Sequence, residues 1–278
     1  MMSNKSVAII GAGTMGSAVA VALKNNGYSV VATRRSVEKL DDLKTMGMEV
    51  TSDNREAIVK SDAIIFSLKP AETVVQIQQM QGELKGKLVI SICASLPLSK
   101  LESLLPESTV IRAMTNVASR VGGGFTAYSI TEKVSEEGEK QALDILRCFG
   151  EVEKIEERYM DALTPISGSG PAYIFTVIEA MVYAGLKVGL PRELALRASY
   201  QTILGSAKLV AESGDSLSAL KETVITPGGV TIEALYELED SRITTAFMKA
   251  IEAAADKAKK SSLEFLNNLE ETETKGTH

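Results

Sequence analysis

Hydrophobic residues follow two different periods along the chain, and the period changes near residue 156. In the first half, short apolar runs of strand length alternate with segments of helix length. In the second half, apolar residues recur at spacings of three and four, which is typical of helices. Because alternating strands and helices build a parallel sheet covered on both faces, the pattern predicts an α/β class of fold. We expect a nucleotide-binding domain over residues 1–160, an all-helical domain over 161–270 and a polar tail over 271–278.

The individual elements follow from the same pattern. The predicted strands of the first half are "VAII" (7–10), "YSVVAT" (28–33), "DAIIFSL" (62–68), "KLVISIC" (87–93) and "STVIRAM" (108–114). "GGGF" (122–125), followed by "TAYSI", predicts a further strand at the edge of the sheet. The long predicted helices of the second half cover 172–190, 192–213 and 244–269.

Three glycines follow the first strand directly and precede the first helix. In such a G-x-G-x-x-G loop, Gly11 makes the tight turn, Gly13 lets the backbone approach a pyrophosphate, and Gly16 lets helix and strand pack closely. Thr14 and Met15 belong to the same loop and open the helix, whose positive end attracts phosphate. The context predicts a dinucleotide-binding βαβ unit of the Rossmann type. A glycine-rich turn in an unrelated α/β protein is the structural alternative.

The end of the second strand indicates which dinucleotide binds. An NAD enzyme normally places Asp or Glu there, whereas this chain reads Thr33, Arg34, Arg35. Two guanidinium groups can hold a 2′-phosphate, and no carboxylate is present at this place to repel it. The sequence therefore predicts NADP(H) as cofactor. The alternative is that the arginines only solvate a loop and NAD(H) is also used.

Ligands of parallel sheets gather beyond the carboxyl ends of the strands. Three loops follow predicted strands there, and each is a candidate part of the site: "SLKP" (67–70), "CASL" (93–96) and "RAMTN" (112–116). Ser, Lys and Pro are also common turn residues, so each loop taken alone has a structural explanation.

Charge and cysteine content limit the classes of function. The net charge of −6 comes from 30 basic and 36 acidic residues that are interspersed, which disfavours a nucleic-acid partner. Cys93 and Cys148 are too few and too far apart for a disulfide framework or a zinc site, so we expect both to be reduced. The sequence contains no signal-peptide core and no apolar run of membrane-spanning length. We therefore expect a cytoplasmic protein with no membrane partner.

Histidine content excludes several mechanisms. The one histidine of the chain is His278, its last residue. Ser-His hydrolysis, histidine-ligated metals and general acid-base catalysis by histidine are therefore not expected, and we predict no metal site.

The helical half carries more apolar surface than a small domain can bury, which predicts an obligate oligomer. Two irregular stretches interrupt it: "SGSGPAY" (167–173), where Pro171 is expected to open a helix, and "TPGGVT" (226–231). Consecutive glycines expose backbone amides, and a helix that begins near Thr231 adds its positive end, so "TPGGVT" can receive a carboxylate. The structural alternative is that Thr231 only caps its helix and Pro-Gly-Gly only reverses the chain.

The chain resembles the pyrroline-5-carboxylate reductases, which make proline by reducing a cyclic imine with NAD(P)H. The resemblance extends from "IIGAGTMG" through "SLKP", "ISICAS", "RAMTN", "SGSGPAY" and "GLKVGLP" to "LKETVITPGGVTIEALYELE". It implies a nucleotide-binding domain joined to a helical dimerisation domain, a homodimer and a ring of dimers in many members. It also implies that the "TPGGVT" loop of one subunit meets the nicotinamide held by the other.

The resemblance also assigns roles to residues. The substrate carboxylate would be held by Gly229 and Val230 amides with Thr226, in a turn that includes Gly228, and the Thr231 hydroxyl would sit by the ring nitrogen as the catalytic group. The remaining cofactor contacts implied are Leu68, Lys69, Pro70, Cys93 and Ala94 on the side of the nicotinamide ribose, and Arg34 and Arg35 at the 2′-phosphate. Asn116 is also expected to contact the cofactor.

One position departs from the family's pattern. Members often have proline two residues after the "MTN" asparagine, where this chain has Ala118, and we expect a looser loop after Asn116.

Two other functions share this plan. A β-hydroxyacid dehydrogenase would need a lysine base after the glycine turn, and residues 168–180 contain none. A regulator that binds NADP(H) without turnover is the alternative from a different class.

Overall fold

The structure is a computed structural model that describes residues 5–275. These residues form two compact units, one that runs to Ser169 and includes the chain from Ala254 onward, and another that covers Gly170–Ala253. The predicted domain boundary lay earlier, at residues 160 and 161, because the sequence pattern turns helical before the chain leaves the first unit.

One eight-stranded sheet organises the first unit. Its strands are β1 (Ser6–Ile10), β2 (Ser29–Thr33), β3 (Glu49–Thr51), β4 (Ala63–Phe66), β5 (Leu88–Ser91), β6 (Thr109–Met114), β7 (Gly124–Ser129) and β8 (Gly150–Lys154). The order across the sheet is β3-β2-β1-β4-β5-β6-β7-β8. Neighbouring strands run parallel except β6 and β7, which run antiparallel. The strands β1, β4 and β5 are almost continuously apolar because helices cover both faces of the sheet.

Up to Ser169, the helices of the first unit lie between these strands, or after β8 in the case of the last one. They are α1 (Thr14–Asn25), α2 (Asp41–Thr45), α3 (Asn54–Val59), α4 (Pro70–Gln79), α5 (Gln81–Leu84), α6 (Leu98–Leu104), α7 (Glu136–Leu146) and α8 (Met160–Leu163). Short 3-10 turns cover Val37–Leu40, Val117–Val121, Arg147–Phe149 and Glu157–Tyr159, and a π-helical turn covers Thr164–Gly168. One apolar cluster contains Leu23 and Phe149, and a separate cluster contains Ile58, Phe66 and Leu101. The predicted α/β fold of the first half is confirmed.

The second unit is entirely helical over its residues 170–253. It contains α9 (Gly170–Lys187), α10 (Arg192–Ser213), α11 (Leu217–Glu222), α12 (Val230–Asp240) and the first part of α13 (Ile243–Lys275). Pro171 lies in the first turn of α9, as predicted. Helix α13 extends to Lys275, into the polar tail predicted from residue 271. The helix therefore continues beyond the end of the apolar spacing in the sequence.

Large apolar side chains of this unit remain exposed in the single chain. Examples are Phe175 at 62%, Met248 at 68% and Val230 at 88% exposure. Exposure of this kind on several helices agrees with the expectation that the helical unit packs against another protein surface.

The strand predicted within 122–130 exists as β7 (Gly124–Ser129), but its predicted position at the edge of the sheet is wrong. Strand β8 pairs with β7 on the outer side and forms the edge instead. Its sequence, "GEVEK", alternates polar and apolar residues and is largely exposed, which suits an edge strand but gives a weak hydrophobic pattern. At the other edge, β3 was not predicted because its three residues are too few to give a hydrophobic pattern.

The start of the β7–β8 pair depends on two glycines that face each other. Gly150 has φ +132°, and a Cβ there would lie 2.1 Å from the carbonyl oxygen of Gly124. A Cβ on Gly124 would in turn lie 2.5 Å from Oγ of Ser119. No side chain fits between the strands at this point, so the edge strand can pair only because both residues are glycine.

We expect Gly150→Ala to lower the free energy of unfolding by about 2 kcal/mol or more, because the Cβ would force two backbones apart in a strained conformation. The matched control is Gly82→Ala in α5, where a Cβ would meet nothing within 4 Å. We expect that variant to be neutral or stabilised by up to about 1 kcal/mol. Urea unfolding followed by circular dichroism measures both, and equal stabilities for the two variants would contradict the packing argument.

Both cysteines are free and buried, one in each apolar cluster, as predicted. Burial raises the pKa of the Cys93 thiol to about 11, and burial with the nearby Asp144 carboxylate raises the pKa of Cys148 to about 11. Both thiols therefore stay protonated in the folded protein at pH values above 9.0, the ordinary pKa of cysteine.

We expect the folded protein to lose stability as the pH rises from about 9 to about 11, because the unfolded chain releases thiol protons that the folded chain keeps. Urea titrations across this range measure the loss. The Cys93→Ala, Cys148→Ala double variant is the control, and its stability should fall less steeply with pH. A slope identical to that of the unmodified protein would show that the thiols do not contribute.

Candidate functional site

The loop between β1 and α1 is shaped by two glycines that have no room for a side chain. Gly11 has φ +96°, and a Cβ there would lie 2.4 Å from Cδ2 of Leu68. A Cβ on Gly16 would lie 2.3 Å from the carbonyl oxygen of Gly11. The Gly11 amide donates to the Thr33 hydroxyl at 3.2 Å, which joins the loop to the end of β2. The loop is therefore held tightly at the carboxyl ends of β1 and β2.

Gly13 differs from Gly11 and Gly16 because it faces open space. A Cβ there would meet nothing within 4 Å. Gly13 is also the N-cap of α1, and among the described residues no side chain caps this helix. The first turn contains no acidic residue, and the amides of Thr14 and Met15 lack intrahelical acceptors by virtue of their position. This helix end suits a pyrophosphate, whose charge would meet the positive end of α1.

A pocket of about 290 Å³ opens beside this loop. It lies where the strand order changes direction, between β1 and β4, which is the usual ligand crevice of such sheets. The pocket is lined by Gly11, Thr33, Arg34, Arg35, Ser52, Asn54, Leu68, Ala71, Glu72, Val75 and Gln76.

The two predicted phosphate-binding arginines line this pocket but point to different partners. Nη1 of Arg34 lies 3.5 Å from the carbonyl oxygen of Ala12, over the glycine loop. Nη2 of Arg35 donates to Oε1 of Glu72 at 2.7 Å. The two guanidinium groups therefore do not form one clamp in this structure, although both remain at the pocket.

The sequence has no carboxylate at the end of β2, but the fold brings one to Arg35 from another element. Glu72 comes from the first turn of α4, far along the sequence from Arg35. Its position follows from the topology, because the loops after β2 and β4 both reach the crevice over β1. The sequence contained a partial clue, since Glu72 stands two residues after "SLKP" (67–70), a loop already predicted to lie at the carboxyl ends of the strands.

The residues predicted around the nicotinamide ribose occupy three different environments. Leu68 packs on Gly11, and Lys69 is the exposed N-cap of α4, which Pro70 opens. Ala94 is exposed after β5, whereas Cys93 is buried, with its thiol near the carbonyl oxygen of Ala94 at 3.4 Å. Only the backbone of Cys93 is therefore available to a ligand.

Asn116 has a structural task that the sequence did not indicate. Its Nδ2 donates to the carbonyl oxygen of Ser167 at 3.0 Å, and its Oδ1 accepts the Ala118 amide at 3.0 Å. The second bond exists because residue 118 is not proline, which has no N–H. The expected loosening of the loop is therefore wrong: Ala118 adds a hydrogen bond that begins the 3-10 turn at Val117–Val121.

A buried arginine lies under the same loop and was missed as a structural element. The Arg112 side chain on β6 is 9% exposed and pairs with Glu157 at 2.7 Å and Asp161 at 3.5 Å. Oε1 of Glu157 also accepts the Leu98 amide at 2.7 Å. Because carboxylates pair with the guanidinium, Arg112 can stay buried, and the cluster ties β6 to the starts of α6 and α8.

In the second unit, "TPGG" forms a tight turn. The Gly229 amide donates to the Thr226 carbonyl oxygen at 2.9 Å, Pro227 and Gly228 are the central residues, and Gly228 has φ +68°. These features define a type II turn, which requires glycine at its third position. Gly229 is required as well, because a Cβ there would lie 2.2 Å from Oγ1 of Thr226.

The turn leads into α12, whose N-cap is Gly229. The alternative that Thr231 caps this helix is wrong, since Thr231 lies inside its first turn, half-buried. In the part of the chain described, no side chain caps α12 either. The Gly229 amide is used by the turn, whereas the amides of Val230 and Thr231 lie at the open helix end.

Among the side chains that the structure describes, no group of three or more His, Cys, Asp or Glu could hold a metal ion. No helix within the described residues 5–275 is long and apolar enough to cross a membrane.

Comparison with known proteins places both units. Residues 157–261 match the family model described as pyrroline-5-carboxylate reductase dimerisation, and residues 6–95 match one described as NADP oxidoreductase coenzyme F420-dependent. The pyrroline-5-carboxylate reductase of Methanosarcina acetivorans is 37% identical over 265 residues, which cover 93% of this chain and 98% of that protein.

Solved structures give the same result. A Plasmodium falciparum pyrroline carboxylate reductase with NADP bound has a TM-score of 0.85 and 33% identity, covering 94% of this chain and 100% of that one. A Mycobacterium tuberculosis 3-hydroxyisobutyrate dehydrogenase, with a TM-score of 0.54, 14% identity and 95% of each chain covered, shares the fold alone. Since the relatives at more than 30% identity span nearly the whole chain, the chain belongs to the pyrroline-5-carboxylate reductase family.

Proposed function

We propose that this protein reduces 1-pyrroline-5-carboxylate to proline with a hydride from NADPH, the last step of proline biosynthesis. The observation that carries the proposal is that similarity to named pyrroline-5-carboxylate reductases covers both compact units, at 37% identity over 93% of the chain for one of them. A similarity limited to the first unit would support only nucleotide binding. The geometry of the nucleotide crevice and of the "TPGGVT" turn agrees with the proposal.

The first unit would hold the cofactor. The open N-terminus of α1, with Gly13, Thr14 and Met15, would receive the pyrophosphate. Arg34 and Arg35 carry the positive charge that a 2′-phosphate needs, and this charge favours NADPH. A relative solved with NADP bound supports the same choice. When bound, the nicotinamide supplies the hydride, and the residues of this chain bind and orient the reacting groups.

The start of α12 would hold the substrate carboxylate. Val230 and Thr231 offer amides that the helix does not use, and the helix dipole favours an anion there. Gly228 and Gly229 would act by shaping the turn, since the Gly229 amide already bonds to Thr226. This division of roles refines the one implied by the resemblance, in which the Gly229 amide also contacts the carboxylate.

Thr231 would place its hydroxyl beside the imine nitrogen. As hydride adds to the imine carbon, the nitrogen becomes an amine and must carry a proton. The chain has no histidine before residue 278, so any proton that the substrate does not bring must come from another group, and a hydroxyl or water can deliver it. Thr231 is half-buried, and its hydroxyl has no hydrogen-bond partner among the side chains and backbone that the structure describes, so it is available for this role.

The quaternary and cellular context are also proposals. The exposed apolar side chains of the helical unit, together with the dimerisation family match at 157–261, support a homodimer. A ring of such dimers is proposed from the family resemblance alone. The two free buried cysteines are consistent with a reducing compartment such as the cytoplasm.

The direct test is the oxidation of NADPH, followed at 340 nm, by the purified full-length protein with and without 1-pyrroline-5-carboxylate. We expect turnover that depends on the imine and yields one proline for each NADPH consumed. Tight NADPH binding without turnover would instead identify a regulator. Turnover with a 3-hydroxy acid and NADP⁺, but none with the imine, would identify a β-hydroxyacid dehydrogenase.

We expect Thr231→Val to lower kcat/KM for the imine by about 10²-fold, because the variant keeps the shape of threonine and loses the hydroxyl. The dissociation constant for NADPH should stay within about twofold, since the substitution lies in the second unit. Thr231→Ser keeps the hydroxyl and should restore most of the activity. Full activity in Thr231→Val would show that this hydroxyl does not move the proton.

A further inference from the structure

The Glu72 carboxylate lies across the nucleotide crevice from the arginines that follow β2. Its Oε1 accepts a hydrogen bond from Nη2 of Arg35 at 2.7 Å, and both residues line the pocket of about 290 Å³. The same guanidinium is one of the two groups that supply positive charge for a 2′-phosphate. The position where a nucleotide phosphate would find Arg35 is therefore already taken by an anion from the protein itself.

Contacts at the first turn of α4 hold Glu72 at the crevice. Thr73, the next residue, is fully buried. Its amide and its hydroxyl both donate to the Lys69 carbonyl oxygen, at 2.9 Å and 3.1 Å. The helix start is thus anchored, and the carboxylate reaches out from a fixed backbone.

Arg35 is the more exposed partner of the pair. Its side chain is 89% exposed, compared with 42% for Glu72. An ion pair so open to solvent contributes little to folding stability, so the pair can separate at small cost. A guanidinium that exchanges easily between two anions is suited to competition between them.

The competition depends on the ligand's phosphate. A 2′-phosphate bound at Arg35 carries about two negative charges near neutral pH, so it competes with the Glu72 carboxylate for the guanidinium and is repelled by that carboxylate. A nucleotide with a free 2′-hydroxyl has no charge to place there and leaves the pair intact. Glu72 therefore opposes one class of nucleotide and is neutral to the other.

We propose that Glu72 is a specificity-determining residue of the nucleotide site: it holds Arg35 in competition with a 2′-phosphate and so reduces the preference for the phosphorylated nucleotide. This inference rests on the proposed function, since it takes the crevice to be the cofactor site. The arginines increase the affinity for NADPH relative to NADH. Glu72 acts in the opposite direction and reduces the ratio of the two affinities.

The test measures binding, without turnover, on the full-length protein. Isothermal titration calorimetry compares adenosine 2′,5′-bisphosphate, which carries the 2′-phosphate, with AMP, which lacks it. In Glu72→Gln we expect the bisphosphate to bind about three- to tenfold more tightly, because a neutral amide competes less for Arg35 and does not repel the phosphate. AMP should bind within about twofold of its affinity for the unmodified protein.

The matched control is Glu107→Gln. Glu107 also forms an exposed ion pair, with Lys85, and its replacement changes the net charge by the same amount. It precedes β6 at the amino end of that strand, whereas the crevice lies at the carboxyl ends. We expect no change in the ratio of the two affinities in this variant, which separates a local effect from one of overall charge.

A double-mutant cycle tests whether Glu72 acts through Arg35. Arg35→Gln should weaken the binding of the bisphosphate. Glu72→Gln should then improve that binding less in the Arg35→Gln background than in the unmodified protein. An equal improvement in both backgrounds would overturn the mechanism of competition for Arg35.

The remaining outcomes are decisive as well. The proposal fails if Glu72→Gln leaves the ratio of the two affinities unchanged, also when both affinities change by the same factor. It fails as well if the variant binds the bisphosphate more weakly. The last result would mean that Glu72 positions Arg35 for the phosphate. If neither probe binds the unmodified protein or the variant, the cofactor assignment itself fails, whereas binding with an unchanged ratio overturns only the role of Glu72.

Discussion

The contact between Gly16 and the Gly11 carbonyl oxygen determines where helix α1 lies on the sheet. A Cβ on Gly16 would come within 2.3 Å of that oxygen, so any other residue would push the helix away from β1. Gly11 in turn adopts a positive φ and supports Leu68, which brings the loop after β4 against the loop after β1. The open helix end, the floor of the crevice and the approach of α4 to the arginines all depend on this close packing. Glycine is needed here for steric reasons, before any ligand is considered.

Glycine N-caps create an open helix end in each unit. Gly13 precedes α1 and Gly229 precedes α12, and both have an extended backbone without a capping side chain in the described structure. By contrast, Asp53, Ser135 and Ser216 cap α3, α7 and α11 with side-chain oxygens. A side-chain cap would occupy the amides that an external anion needs. In the proposed function, the two open ends receive the two anions of the reaction, a pyrophosphate and a carboxylate.

Sequence reasoning predicted those features that depend on local pattern. The predicted helix at 192–213 has the bounds of α10, and the strands before and after the glycine loop lie as expected. Strands β3 and β8 were missed because one is very short and the other has a mixed polar pattern. The order of β7 and β8 depends on a long-range pairing, which no local pattern reports.

The candidate site shows the same limit. The glycine loop, both arginines and the "TPGGVT" turn could be named because each is contiguous in sequence. Glu72 could not be placed beside Arg35, and Arg112 could not be paired with Glu157, because each pair is separated by tens of residues and joined only by the fold. The hydrogen-bond partners of Asn116 were inaccessible for the same reason, since Ser167 belongs to the far end of the first unit.

The Arg35–Glu72 and Arg112–Glu157 pairs have the same N···O distance of 2.7 Å but differ in what they can do. Arg112 is 9% exposed, so separating it from Glu157 would leave a charge without solvent, and the pair can act only as a fixed connection. Arg35 is 89% exposed, so water compensates for its separation from Glu72. Burial, rather than distance, thus decides which of the two guanidinium groups can be transferred to a ligand. The exchangeable pair is the one at the nucleotide crevice, where a competing phosphate would arrive.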